Sequence, residues 1–432
     1  MSTRVRSARH PVLEGAYVRD DFRAWKSRQR LLVVAVFLPL FASTILAKIG
    51  VPPLGGMGFG VSMPLTIVVA ALMACVGAFV VQTERLFLYL LLVGTMGFIQ
   101  ALQPGSFSLS SFLFMAGFFS PFMFQLNGER RLSPLLEPDG ALRVFANVAT
   151  FLAVCGMVQY GAQFVIGARY AFPIEFYLPD SLKVVGYNNL NPLAYGAKVF
   201  KSNGIFMLEP STFSQVTALG LLFELSFWAR KSRLAIYVAA LALTYSGTGL
   251  LILAVGLAAL VVFNRRWDII VLGAIALCIL AIFAEPLQLN VFVDRISEIQ
   301  STGSSGFARF GAWIYMFRDF WAIDPMRVLI GAGAGTFNKY ALMSQYVAAE
   351  MGFSKVFFEF GLIGGSIYFY TLIRLIMMRN LPIACTLGVC TLLLLNGAYS
   401  PTVMGILTSV LLWPVASARL NRQAQKHRSE TD

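Results

Sequence analysis

Histidine is almost missing from this chain. Its 432 residues include two, His10 and His427, both in the terminal segments. A histidine triad or histidine metal site in the body of the protein is thereby excluded. Charge is scarce too: 13% of residues are Asp, Glu, Lys or Arg, about half the usual share of a soluble domain. Cysteine occurs at Cys75, Cys155, Cys278, Cys385 and Cys390, always inside apolar runs. That placement argues against a disulfide framework and leaves no metal-ligand spacing. Repeats and low-complexity tracts are absent, and no segment separates as a soluble domain. No small-residue cleavage pattern follows the first apolar run, which is expected to act as a retained anchor.

What is present is apolar. Hydrophobic residues make up 57% of the chain, gathered into runs near the about 20 residues that a helical crossing needs. Short basic or glycine-proline breaks separate them, without the ten-residue alternation of a membrane barrel. Helices are the spanning solution that fits. Crossings are predicted near 31–48, 62–82, 86–102, 109–126, 144–167, 211–228, 234–246, 248–263, 268–284, 356–377, 382–397 and 403–417. The expected fold is all-α, a polytopic bundle of about twelve transmembrane helices forming one membrane domain over 1–432.

Lysine and arginine orient the bundle. With the N-terminus inside, 23 of the 34 basic residues fall on the inside. They include Arg130 and Arg131, Arg230, Lys231 and Arg233, and Arg265 and Arg266. The net charge of +13 then reads as topology signal and headgroup contact, and no nucleic-acid partner is expected. Basic clusters flank both ends of 234–263, so a turn at Tyr245-Ser246-Gly247-Thr248-Gly249 is preferred to one long helix, since it keeps both clusters inside. The basic segment 1–30 and the tail 418–432 become cytoplasmic. Two long outside loops remain, a medium one at 168–210 and a large one at 285–355, the latter too long for a mere connector.

Candidate chemistry lies in and beside those loops. Glu209-Pro210-Ser211-Thr212 closes the first. Glu209 reads either as a helix cap or as a carboxylate at the membrane–water boundary that accepts a proton. In 308–321, Phe310, Trp313, Phe317 and Phe320 recur at helical spacing, which predicts an amphipathic helix lying on the outer membrane surface. On one such helix Arg309 and Arg318 point to opposite sides. Gly331-Ala332-Gly333-Ala334-Gly335-Thr336 suits close backbone approach better than phosphate binding, for no P-loop lysine is present. Lys355 and Glu359 share a face of the tenth crossing, either as an interfacial pair or along a substrate path. Lys201 suits a glycan or phosphate. Tyr187, Asn188, Asn189 and Asn191 suit sugar contacts or an ordinary surface turn.

These elements together resemble the O-antigen ligase and O-antigen polymerase family of bacterial envelope enzymes, over about residues 200–370. Arg309 to Trp313 resembles that family's Arg-x-x-x-Trp element, Gly331 to Phe337 its glycine element, and Glu359 to Gly364 its Glu-x-Gly element. Residues 203–211 are similar to a stretch of exopolysaccharide polymerases in the same superfamily. The ligases' His-Asn near the end of the large loop is replaced by the Glu350, Ser354 and Lys355 neighbourhood, and Ser246-Gly247-Thr248-Gly249 lacks the arginine of their Ser-Arg-Gly turn. The resemblance therefore implies a polymerase rather than a ligase. It implies a polysaccharide polymerase in the bacterial inner membrane, acting at the periplasmic face on polyprenyl-pyrophosphate-linked oligosaccharides. The scheme uses no metal and no cofactor. Arg309 and Lys355 would hold the pyrophosphate and Glu209 the acceptor hydroxyl, with Lys201, Arg318, Glu359, Tyr187 and Asn189 in substrate contact. Expected partners are membrane lipids and the chain-length regulator and flippase of the same pathway. Competing readings are a ligase-type glycosyltransferase, a twelve-helix secondary transporter with Glu224 as its buried acid, and a non-catalytic component of an export complex.

Overall fold

The computed structural model describes residues 29–51, 59–103, 108–128, 133–184, 190–193, 197–282, 285, 301–302, 304–396 and 400–415. Each of the twelve apolar runs carries a helix, as expected where amides have no water to bond and must be satisfied within the segment. The first five are α1 (Gln29–Thr44), α2 (Ser62–Cys75), α3 (Thr83–Ala101), α4 (Leu109–Phe119) and α5 (Pro138–Val165). Short helices α6 (Ala168–Ala171) and α7 (Pro173–Tyr177) belong to the first loop. Next come α8 (Pro210–Phe227), α9 (Lys231–Ala242), α10 (Gly247–Asn264) and α11 (Asp268–Ile282). The second loop holds α12 (Ser305–Phe310), α13 (Ala312–Met316), α14 (Pro325–Ile330) and α15 (Phe337–Met343). The chain returns through α16 (Gly352–Met377), α17 (Ile383–Asn396) and α18 (Pro401–Ile406), the last continued by a π-helical turn at Leu407–Leu412.

Among the described residues, four helices, α3, α5, α10 and α16, are long and apolar enough to cross a membrane. The face that α11 turns outward is apolar, with Ile270, Val271, Leu272, Ile275 and Ile279 all exposed. A wall of that kind is what a lipid-facing helix presents and what a water-soluble monomer avoids. Two runs are shorter as helices than predicted. After Cys75 the chain turns at Gly77 (φ 63°), and Phe79–Val81 pairs antiparallel with Phe124–Leu126. The turn after α9 is confirmed: the helix ends at Ala242, Tyr245 takes a positive φ of 46°, and α10 begins at Gly247. α9 packs on α5 and α8, whereas α10 packs on α8 and α17.

The connections sort into two sets that meet only their own kind in the bonds described here. At one end the amide of Ser133 donates to Gln29, that of Leu126 to Trp413, and that of Val415 to Leu136. Arg85 donates to the carbonyl oxygens of Phe124 and Leu412, and Arg379 to those of Val410 and Pro414. Apart from that of Phe124, the carbonyls these guanidinium groups meet are left open where the last helical segment ends. At the other end Thr402 donates to the Ser43 carbonyl, Gln103 to that of Gly331, and the amide of Ala334 to Gln100. The described parts of both long loops meet this second end, the first through the Val184 amide on the Lys48 carbonyl.

The second loop is held there by a break in α16. Gly361 leaves the helical region (φ 65°, ψ −170°). This frees the carbonyls of Phe358 and Glu359, which accept from the amides of Ala332 (2.8 Å) and Gly333 (3.0 Å). The two backbones run so close that a Cβ on Gly331 would stand 2.3 Å from the Glu359 oxygen, and one on Gly361 2.4 Å from the Leu329 carbonyl. Gly331→Ala and Gly361→Ala are each predicted to cost about 2–4 kcal/mol, from left-handed strain and overpacking. Gly161→Ala, which meets nothing within 4 Å, should be nearly neutral. Melting temperatures of the detergent-purified variants check this ordering.

Candidate functional site

Glu209 ends the first loop and caps α8. Its backbone is extended, Pro210 occupies the first helical position, and its N–H donates to the Thr212 hydroxyl (3.2 Å) in a capping box. The Ser211 hydroxyl donates to its carboxylate. The cap reading is therefore realised, and the same carboxylate also faces a cation. Arg309 Nη2 lies 3.5 Å from Glu209 Oε1, across a hundred residues of sequence. The side chains keep 28% and 19% of their surface exposed, so the pair is reachable from outside the protein.

Arg309 is placed by the second loop, which is not one amphipathic helix. Gly311 ends α12 after six residues, α13 follows, and Phe317–Trp321 forms a π-helical turn. The aromatic side chains pack on one another instead of forming one continuous surface face. Trp313 stands edge-on to Phe353 (5.2 Å between centroids) and to Phe317 (5.3 Å). Phe317, Phe337 and Tyr340 surround the fully buried Phe358. Helical spacing could not show this packing, because Trp313, Phe317 and Phe320 meet rings from α15 and α16. The amide of Ala349 donates to the Ala308 carbonyl (2.8 Å). This bond ties the 349–350 strand of chain to the helix that bears Arg309. Lys355 Nζ reaches Glu350 Oε2 at 3.0 Å, so Glu350, the residue after Ala349, carries a second ion pair.

The other predicted residues have distinct surroundings. Arg318 is exposed, bonded to Asp319 (2.7 Å) and set over the Tyr315 ring. The Asp319 carboxylate raises its guanidinium above the ordinary range. Glu359 is buried and accepts from the amide of Phe337 (3.3 Å), which makes it a fastening for the glycine-rich loop. Lys201 is buried, its backbone N–H bonded to the Asn191 carbonyl. Tyr187, Asn188 and Asn189 lie outside the described residues. Glu224 is fully buried and bound by Arg230 in a two-point pair (2.7 Å each), with the Arg230 amide as a third donor.

A polar group escaped sequence reading. Lys48, just beyond α1, pairs with Glu175 of α7, and both are buried. Asn203 Nδ2 donates to Glu175 Oε1 (2.7 Å), and Gln159 Nε2 to Asn203 Oδ1 (2.9 Å). The available signal was Gln159 and Gln163, one helical turn apart in an apolar run.

Phe358→Ala is predicted to cost about 3–5 kcal/mol and to open the second loop. Protease added from the loop side should cut the variant between residues 304 and 350 at concentrations that spare the parent chain. Equal resistance would mean that Phe358 does not organise the loop.

No family model, no curated protein and no solved structure matches this chain.

Proposed function

We propose that this protein is a polysaccharide polymerase with about twelve membrane crossings and both termini in the cytoplasm. It extends a glycan at the periplasmic face of the bacterial inner membrane. The donor is a glycan on polyprenyl pyrophosphate and the acceptor is the terminal sugar of a second lipid-linked repeat unit. The observation that carries the reading is the partly exposed Glu209–Arg309 pair, with the Lys355–Glu350 pair tied to the helix of Arg309 through Ala349.

The reaction asks little beyond this set of groups. The acceptor hydroxyl attacks the anomeric carbon of the donor. The carbon–oxygen bond to pyrophosphate breaks, and the hydroxyl proton passes to Glu209. Arg309 and Lys355 hold the pyrophosphate as its charge develops. Such fixed charges favour the transition state most when they are aimed before reaction. A guanidinium grips phosphate oxygens in pairs and is the better clamp of the two cations. In this scheme Arg309 exchanges Glu209 for phosphate when the donor enters, which frees the carboxylate to act as base. The Glu224–Arg230 pairing supports the enzyme reading over transport, because the acid a transporter would use is already held by three donors.

Arg309→Ala and Glu209→Gln are each expected to lower polymer yield by about 100-fold or more. Single lipid-linked repeats should accumulate, and Arg309→Lys should retain part of the activity. Gel profiles of polymer and lipid-linked intermediates, at matched protein levels, check this. Normal chain length and yield from both variants would overturn the assignment. Full-length polymer stranded on its lipid carrier after gene deletion would indicate a ligase instead.

A further inference from the structure

The segment that delivers Glu209 is strained. Gly204 and Ile205 both take a φ of 67°, and for a β-branched residue that region is an outlier. Strain of this kind persists only where the surroundings over-determine it. Here three elements converge on the turn. From α5, Gln159 Oε1 accepts from the amides of Asn203 (3.0 Å) and Ile205 (3.2 Å) and from the Ser202 hydroxyl (3.0 Å). From α8, the Phe213 ring lies so close to Gly204 that a Cβ there would come within 2.9 Å. From the chain beyond α1, Lys48 donates both to Glu175 and to the Ile205 carbonyl.

Lys48 and Glu175 are themselves fixed. The amide of Val184 donates to the Lys48 carbonyl (3.1 Å), and Lys183 Nζ to the Glu175 carbonyl (2.7 Å). Glu175 Oε2 has no donor among the described residues. The carboxylate therefore depends, through Oε1, on Lys48 and Asn203. Ions are not buried this way for stability alone, since an apolar pair of similar volume serves as well or better. What this ion pair adds is direction: one partner holds the Ile205 carbonyl and the other the Asn203 amide, on either side of the strained residues.

We propose that Lys48, Glu175, Asn203 and Gln159 are positioning residues that lock the 203–205 turn and thereby aim Glu209 at its substrate. The positioning role rests on the polymerase reading; the lock itself does not. The test uses the full chain in membranes, with the five native cysteines replaced and Met207→Cys as reporter. Met207 is fully buried, so a membrane-impermeant maleimide reaches that position only when the turn opens. Lys48→Met with Glu175→Leu removes both charges together and leaves no unpaired ion to unfold the protein. The double variant is expected to keep its melting temperature within a few degrees of the parent's and to label about tenfold faster or more. It should also lose polymer synthesis. Labelling at the parental rate overturns the lock. Faster labelling with normal polymer overturns the positioning role. The polymerase reading is tested separately, by Arg309→Ala and Glu209→Gln in the otherwise native chain. Asn203→Ala carries the same two readouts if the double variant does not accumulate.

Discussion

The second loop of this protein is docked on the bundle through a close contact of two backbones. α16 breaks at Gly361, and the carbonyls it exposes are taken up by the amides of Ala332 and Gly333. Open carbonyls at membrane depth are tolerated only where protein or water satisfies them. The glycine-rich stretch supplies that protein, and glycine is needed because no side chain fits between the two backbones. Glu359 fastens the far end of the same stretch through Phe337. With this joint made, the second loop lies against the bundle and Arg309 comes to Glu209. Without it the pair would be two solvated charges on separate loops.

Charge inside the bundle is handled by a few specific contacts. Glu224 is closed off by Arg230, Arg85 and Arg379 meet backbone carbonyls, and Lys48 pairs with Glu175. Glu209–Arg309 is looser than the Glu224–Arg230 and Lys48–Glu175 pairs, at 3.5 Å and partly exposed. A pair that must part to admit a substrate is more useful loose than tight, since each charge is already partly hydrated and little is lost on exchange.

Local features were legible in the sequence, and encounters between distant segments were not. Apolar run length located the twelve bundle helices, because the amide constraint acts within a segment, but not the short helices of the two loops. The turn at Tyr245 followed from the two basic clusters around it. The Glu209 cap followed from its neighbours Pro210, Ser211 and Thr212. The aromatic residues of 310–320 carried a helical period, yet Gly311 interrupts the helix and the rings turn toward Phe353 and Phe358. Lys355 has Glu359 one turn onward, but it reaches back to Glu350. The lock around Ile205 joins residues 48, 159, 175 and 203. No periodicity connects positions that far apart, and single polar residues at the edges of apolar runs look alike whether they pair or not.

The activity proposed for this chain is the joining of lipid-linked glycans at the end of the bundle where Glu209 and Arg309 meet. Reconstitution tests it most directly. The purified protein is placed in liposomes with a polyprenyl-pyrophosphate-linked repeat unit on the outer leaflet, and glycan length and freed polyprenyl pyrophosphate are followed together. A polymerase should yield chains longer than the starting unit, with one polyprenyl pyrophosphate released for each bond formed. Repeat units that cross the bilayer or stay bound without growing, from protein that is folded and correctly oriented, would contradict it.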